Sequence, residues 1–137
     1  MTGHTTVHRT TSQGEYVSHL PDPREGMFVS ERPWGGFQQF TCNEPSTVKV
    51  ITVDPGHRLS LQTHERRAEF WQVLDGPIDV TVGEDSWSAQ PGEQIWVPVG
   101  ARHRMGNTTD RPARVLEIGY GEFDEDDIER LEDDYQR

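Results

Sequence analysis

Two blocks constrain the fold of this chain more than anything else in it: PGHRLSLQTHERRAEFWQVLDG, from Pro55 to Gly76, and PGEQIWVPVGARHRMGN, from Pro91 to Asn107. In both, short runs of β-branched and aromatic residues are cut by Pro-Gly, Asp-Gly-Pro or Pro-Val-Gly breaks, which is how short strands joined by tight turns are written. The same punctuation continues outside the blocks. It predicts strands at Phe37–Cys42, Thr47–Val53, Arg58–Thr63, Ala68–Leu74, Ile78–Val82, Ser86–Ala89, Gln94–Val97, His103–Asn107 and Ala113–Tyr120. Strands this short and this closely spaced predict an all-β, antiparallel sandwich or jelly roll rather than a parallel sheet.

The flanks read differently. Residues 1–26 are rich in Thr, His, Ser, Pro and Gly without apolar periodicity, and are expected to form a loosely draped N-terminal arm. The alternative is an arm whose Tyr16, Val17 and Leu20 pair with a sheet edge or a second subunit. The barrel is expected over 27–122 and an acidic tail over 123–137. Asp124, with Asp127 three residues on, reads as a helix start, and Ile128 and Leu131 would give a short capping helix an apolar stripe.

Charge and cysteine content narrow the partners. The net charge is −11, and the stretch from Glu122 onward holds nine acids against two arginines. That balance argues against nucleic acid or an anionic membrane as partner. A single cysteine, Cys42, allows no internal disulfide, and neither a membrane-length apolar run nor a signal-peptide core is present. A cytoplasmic protein is expected. Exposed sheet edges also suggest a homodimer.

Within the two blocks, Gln62 and His64 are two apart on an expected strand and therefore share a face. Glu69 follows after a short loop, where antiparallel pairing returns the chain alongside, and His103 stands behind the Pro98-Val99-Gly100 turn. Two imidazoles, a carboxylate and an amide oxygen suit one divalent ion among Zn, Mn, Fe, Co and Ni, without choosing among them. Lys49, the only lysine, is a lone charge in the apolar strand Val48–Val53. It is a candidate for substrate contact or proton transfer, with edge snorkelling the alternative.

Gly56, His64, Glu69, Gly76, Gly92, Pro98, Gly100, His103 and Asn107 fall on the fixed positions of the two-part cupin signature, and only Gln62 departs, standing where a first histidine is commonest. The chain therefore resembles the cupin superfamily, whose fold is an antiparallel jelly-roll barrel (a double-stranded β-helix). A narrower likeness lies in LSLQTH, in Arg67-Ala68-Glu69, in the upstream RPWGGF and in the ending EDDIERLEDDYQR. These are similar to type II mannose-6-phosphate isomerases, where a cupin is usually the C-terminal part of an enzyme that also makes GDP-mannose. In that family glutamine is usual at the first ligand place. Phe70 departs from it, standing where the family usually has histidine.

The resemblance implies interconversion of mannose 6-phosphate and fructose 6-phosphate, with metal at Gln62, His64, Glu69 and His103. Lys49 and Glu69 are then the candidates for proton transfer, and Arg58, Arg67 and Arg130 for holding the phosphate of a phosphosugar. Another metal-cupin enzyme, an oxygenase or an isomerase of a different sugar, and a non-catalytic sugar-binding cupin are the alternatives.

Overall fold

The computed structural model describes residues 3–6 and 22–135. They fall into two compact units divided between Glu44 and Pro45. The first contains β1 (Gly3–Thr6), β2 (Phe28–Arg32) and β3 (Gly35–Gln39), an antiparallel sheet in the order β1-β2-β3. A 3-10 turn at Pro23–Gly26 leads into it, capped by the Asp22 side chain, which accepts from the Arg24 amide. Residues 3–6, within the expected arm, pair with β2 as a strand. Tyr16, Val17 and Leu20 lie outside the described residues.

The second unit holds both sequence blocks. It contains β4 (Ser46–Val53), β5 (Leu61–Thr63), β6 (Arg67–Asp75), β7 (Ile78–Val82), β8 (Asp85–Ala89), β9 (Gln94–Val97), β10 (His103–Gly106), β11 (Ala113–Gly121) and β12 (Glu129–Glu132). One sheet has the order β4-β11-β6-β9 and the other β12-β5-β10-β7-β8, and every pairing is antiparallel. The fold is all-β, as its turn punctuation dictates. Alternation does the rest. Along β6, Glu69, Trp71 and Val73 point one way while Ala68, Phe70 and Gln72 point the other.

The core is built from the inward residues of both sheets. Val53, Trp71, Val73, Ile95, Val97, Ala113 and Val115 come from the first, and Ile78, Val80, Ala89 and Met105 from the second. Burying a side chain of this size is worth about 1.5–3 kcal/mol. The motif asparagine belongs to this framework. Asn107 is buried, donates from Nδ2 to the carbonyls of Val53 and Arg111, and accepts at Oδ1 from the amide and hydroxyl of Thr109.

The tail corrects the expected capping helix. Asp124 does cap, accepting from the Asp126 amide, but only the 3-10 turn Glu125–Asp127 follows. The chain then extends into β12 and pairs with β5. Acids three and four residues apart, such as Asp124 and Asp127 or Glu125 and Glu129, would repel one another on a helix surface, whereas the open edge of β5 offers backbone partners. Leu131 stays 46% exposed, so the expected apolar stripe buries little. Further ties to the tail are the Arg58–Asp134 and Arg104–Glu132 ion pairs and a 2.7 Å hydrogen bond shared by His57 Nδ1 and the Tyr135 hydroxyl.

Gly121 ends β11 at φ +105, and a Cβ there would lie 2.8 Å from the Arg66 carbonyl oxygen. Gly121→Ala should therefore destabilise the protein by about 1–3 kcal/mol, read as a lowered urea midpoint with an unchanged slope. An unchanged midpoint would show that the β11–tail junction tolerates a side chain.

Candidate metal centre

Three buried side chains converge between the sheets. His64 immediately follows β5, Glu69 lies on β6 and His103 opens β10, each at most 3% exposed, and their ligand atoms lie within 4.8 Å of one another. The turn at Gly100, with φ +81, brings two of them together: its amide donates to the His64 carbonyl at 3.0 Å. A second clamp comes from the tail, where the Asp127 carboxylate accepts from the amides of Glu65 and Arg66 at 3.2 and 3.0 Å.

The imidazoles are held in a ligand-ready state. His64 Nδ1 faces the Arg67 carbonyl at 3.0 Å and His103 Nδ1 the Ala101 carbonyl at 2.9 Å. A carbonyl can only accept, so each Nδ1 carries a proton, which leaves each Nε2 as the nitrogen that points inward. His103 Nε2 is buried and has no hydrogen-bond partner among the described residues. Burial pushes the His103 imidazole below its ordinary value, with the Glu69 carboxylate pulling the other way. His64 Nε2 lies 2.9 Å from Glu69 Oε2. At that distance the nitrogen and the carboxylate need a cation between them, a proton in the metal-free protein that a divalent ion can replace, so the donor set fits a divalent ion.

Glu69 is the hub. Its Oε1 accepts from the Trp71 indole N–H at 2.9 Å, and its Oε2 from Arg67 Nε at 3.4 Å. Burial alone would raise the Glu69 carboxyl, but the hydrogen bonds from His64 and Glu117 and the neighbouring imidazoles hold it well below its usual range.

Glu117 is the residue that the sequence analysis passes over. It sits on β11 between Lys49 and Trp71 in register, so it shares the inner face with Glu69. Burial, the Glu69 charge and their shared hydrogen bond push its carboxyl up to about 8, while the Lys49 ammonium acts against them. The signal was present. Glu117 is a lone acid in the apolar run Ala113–Tyr120, the same criterion that singles out Lys49 one strand away. Trp71, two residues beyond Glu69 and so on its face, was equally readable.

The other expected residues divide. Gln62 is the cross-strand partner of His103 and shares its face, with its carbonyl oxygen accepting from the Ser60 hydroxyl at 2.8 Å. Arg130 continues that row, opposite Gln62 at the sheet edge. Arg67 is buried, and its Nη1 has no hydrogen-bond partner among the described residues. Arg58 bridges to Gly106 on the opposite face of the sheet and makes two hydrogen bonds, at 2.6 and 3.0 Å, to Asp134. Phe70 is 2% exposed, pairs with Trp96 and Ile118, and points away from Glu69. A side chain there does not face the cluster, so the departure at Phe70 leaves the donor set intact.

The raised Glu117 carboxyl has a measurable consequence in metal-free protein. The unfolded chain loses this proton near 4.5 and the folded chain near 8, so between those values the folded state binds more protons and stability falls as pH rises. Glu117→Gln should flatten that decline, seen as a smaller difference between urea midpoints at pH 5 and pH 7.5. Identical differences in the two proteins would place the Glu117 carboxyl in its ordinary range.

Comparison with known proteins gives this geometry a lineage. Over 107 residues the chain is 40% identical to the alginate biosynthesis protein AlgA of Pseudomonas aeruginosa, covering 77% of this chain and 22% of that protein. It is 39% identical over 107 residues to the mannose-1-phosphate guanylyltransferase ManC of Salmonella typhimurium, with 77% and 22% covered. The chain thus spans less than a quarter of the length of these relatives. A solved structure described as a sugar phosphate isomerase of the cupin superfamily, from Silicibacter pomeroyi, superposes with a TM-score of 0.53 at 23% identity, covering 72% of this chain and 61% of that one, which is a likeness of fold. Residues 24–133 match the family described as mannose-6-phosphate isomerase C-terminal. With the candidate metal cluster inside that match, this chain belongs to the mannose-6-phosphate isomerase C-terminal family.

Proposed function

We propose that this chain is a metal-dependent phosphosugar isomerase that interconverts mannose 6-phosphate and fructose 6-phosphate. The observation that carries the reading is the pairing of a buried ligand cluster with a second carboxyl group, Glu117, hydrogen-bonded to Glu69 on the same face. Aldose–ketose isomerisation moves a proton between C1 and C2 through an enediolate. It needs one group to polarise the carbonyl and another, free of the metal, to carry the proton.

His64, Glu69 and His103 would hold the ion, with the Gln62 carbonyl oxygen as a neutral fourth donor. A divalent ion there would supply Lewis-acid polarisation of the sugar carbonyl. Trp71 keeps Glu69 oriented through its indole N–H. Since Glu69 is committed to the ion, Glu117 takes the proton-carrying role. Arg67, whose Nη1 has no hydrogen-bond partner among the described residues, and the Lys49 ammonium would receive the anionic end of the substrate, with Arg130 opposite Gln62 at the edge of the other sheet as a further cation. The apolar wall of Val73, Ile95, Val97 and Val115 excludes water from the reacting atoms.

Incubation of the purified chain with mannose 6-phosphate and each of Zn, Mn, Fe, Co and Ni should yield fructose 6-phosphate with at least one of them. No product with any of the five overturns the reading. His64→Ala should lower bound metal from about one ion per chain to near none, a loss larger than the roughly ten- to hundredfold weakening that follows from changing a residue behind the ligands. Metal content equal to wild type would remove His64 from the ligand set.

Glu117→Gln should keep its metal and lose roughly 10²–10⁴ in kcat, the usual contribution of a positioned acid or base. Equal losses of metal and turnover would assign Glu117 to holding the site together instead.

A further inference from the structure

Phe123 lies outside the hydrophobic core, half-buried in the link between β11 and the 3-10 turn. Two cations of the site rest on its ring. Lys49 Nζ is 4.0 Å from the ring centroid and the Arg67 guanidinium carbon 4.3 Å. These are cation–π distances, and an apolar side chain of the same bulk without a π face would not attract either charge.

The ring is held where it is from several directions. The Gly121 amide donates to the Pro45 carbonyl, and Arg66 pairs with Glu122 at 3.7 Å and with Asp124 at 3.0 Å. Asp127 grips the Glu65 and Arg66 amides beyond them. Phe123 is thereby fastened to the loop between His64 and Arg67, while the register of β4 presents Lys49 beside Glu117. The two cations differ in freedom. Arg67 is buried and also tied to Glu69, whereas Lys49 is exposed on a flexible stem that, released from the ring, sweeps a wide volume. Two like charges repel when gathered. The ring quadrupole offsets that repulsion, and the buried Arg67 Nη1 still lacks an acceptor.

We propose that Phe123 is a positioning residue, holding the Lys49 ammonium beside the Arg67 guanidinium so that the pair forms a ready receptor for the phosphate of the substrate. This rests on the phosphosugar reading above and adds to it how the anion is received and why the C-terminal link matters to the site.

Lys49 is the only lysine, so reductive dimethylation with carbon-13 formaldehyde gives one side-chain signal and one from the N-terminal amine, with the charge retained. In wild-type protein the Lys49 methyl signal should lie upfield of that of a free lysine because of the Phe123 ring current. A random-coil position overturns the proposal without any variant. Phe123→Leu keeps apolar bulk and removes the ring. It should return the signal to the free position and weaken binding of inorganic phosphate, measured by calorimetry on metal-loaded protein, by roughly three- to thirtyfold. In turnover, KM for mannose 6-phosphate should rise by the same factor, with kcat changed by less than about twofold.

Phe123→Tyr retains a π face and should restore both the shift and the affinity. Unchanged phosphate affinity in Phe123→Leu, or equal loss in the leucine and tyrosine variants, overturns the proposal. The resonance and phosphate arms need no turnover. A chain that isomerises with Phe123→Leu unaffected sinks this proposal alone, and a chain that shows the shift and the affinity change but makes no fructose 6-phosphate sinks the isomerase reading alone.

Discussion

A buried carboxylate sets the terms for this fold. Glu69 is 1% exposed between two apolar sheet faces, where an uncompensated charge is prohibitive and a broken partnership costs about 3–5 kcal/mol. The surrounding sequence answers that constraint. Trp71 two residues on, Arg67 two residues before, His64 across the loop and Glu117 from the neighbouring strand each direct a donor at its oxygens. Each can do so only because strand alternation places it on the inner face. A one-residue slip of β6 would exchange Glu69 for Phe70 and turn the donors outward.

The elements that look peripheral serve the same end. Gly100 ties the second block to the His64 carbonyl, and Asp127 ties the tail to the loop that follows His64. The 3-10 turn and β12 therefore belong to the machinery of the site as much as to the edge of a sheet. This accounts for a family likeness that runs past the barrel strands into an acidic ending: the acids near its start accept from backbone amides and pair with Arg66, while those near its end pair with Arg58 and Arg104.

Most of the barrel was legible because period-two alternation and turn residues are local signals. Ile78–Val82 and Gln94–Val97 coincide with β7 and β9 residue for residue. β12 was not legible, since ERLE carries no strand signal of its own and is extended by the free edge of β5. His64, Glu69 and His103 were readable from spacing and chemistry. Spacing did not reveal which face Arg58 takes or that Asp134, 76 residues on, pairs with it. Glu117 was missed although its signature, a lone acid among the apolar residues of a strand, is close to the one applied to Lys49. The partner that explains it, Glu69, is distant in sequence and adjacent only through the β6–β11 pairing.

The claim on which the whole account turns is that this hub is a metal centre built from two imidazoles and the Glu69 carboxylate. X-ray absorption spectroscopy of the zinc-loaded chain reads those ligands directly. The account predicts the multiple-scattering pattern of two imidazoles with the remaining donors oxygen, reduced to one imidazole in His103→Ala. A zinc shell of oxygen donors without imidazole scattering, unchanged in that variant, would place the ion elsewhere and contradict it.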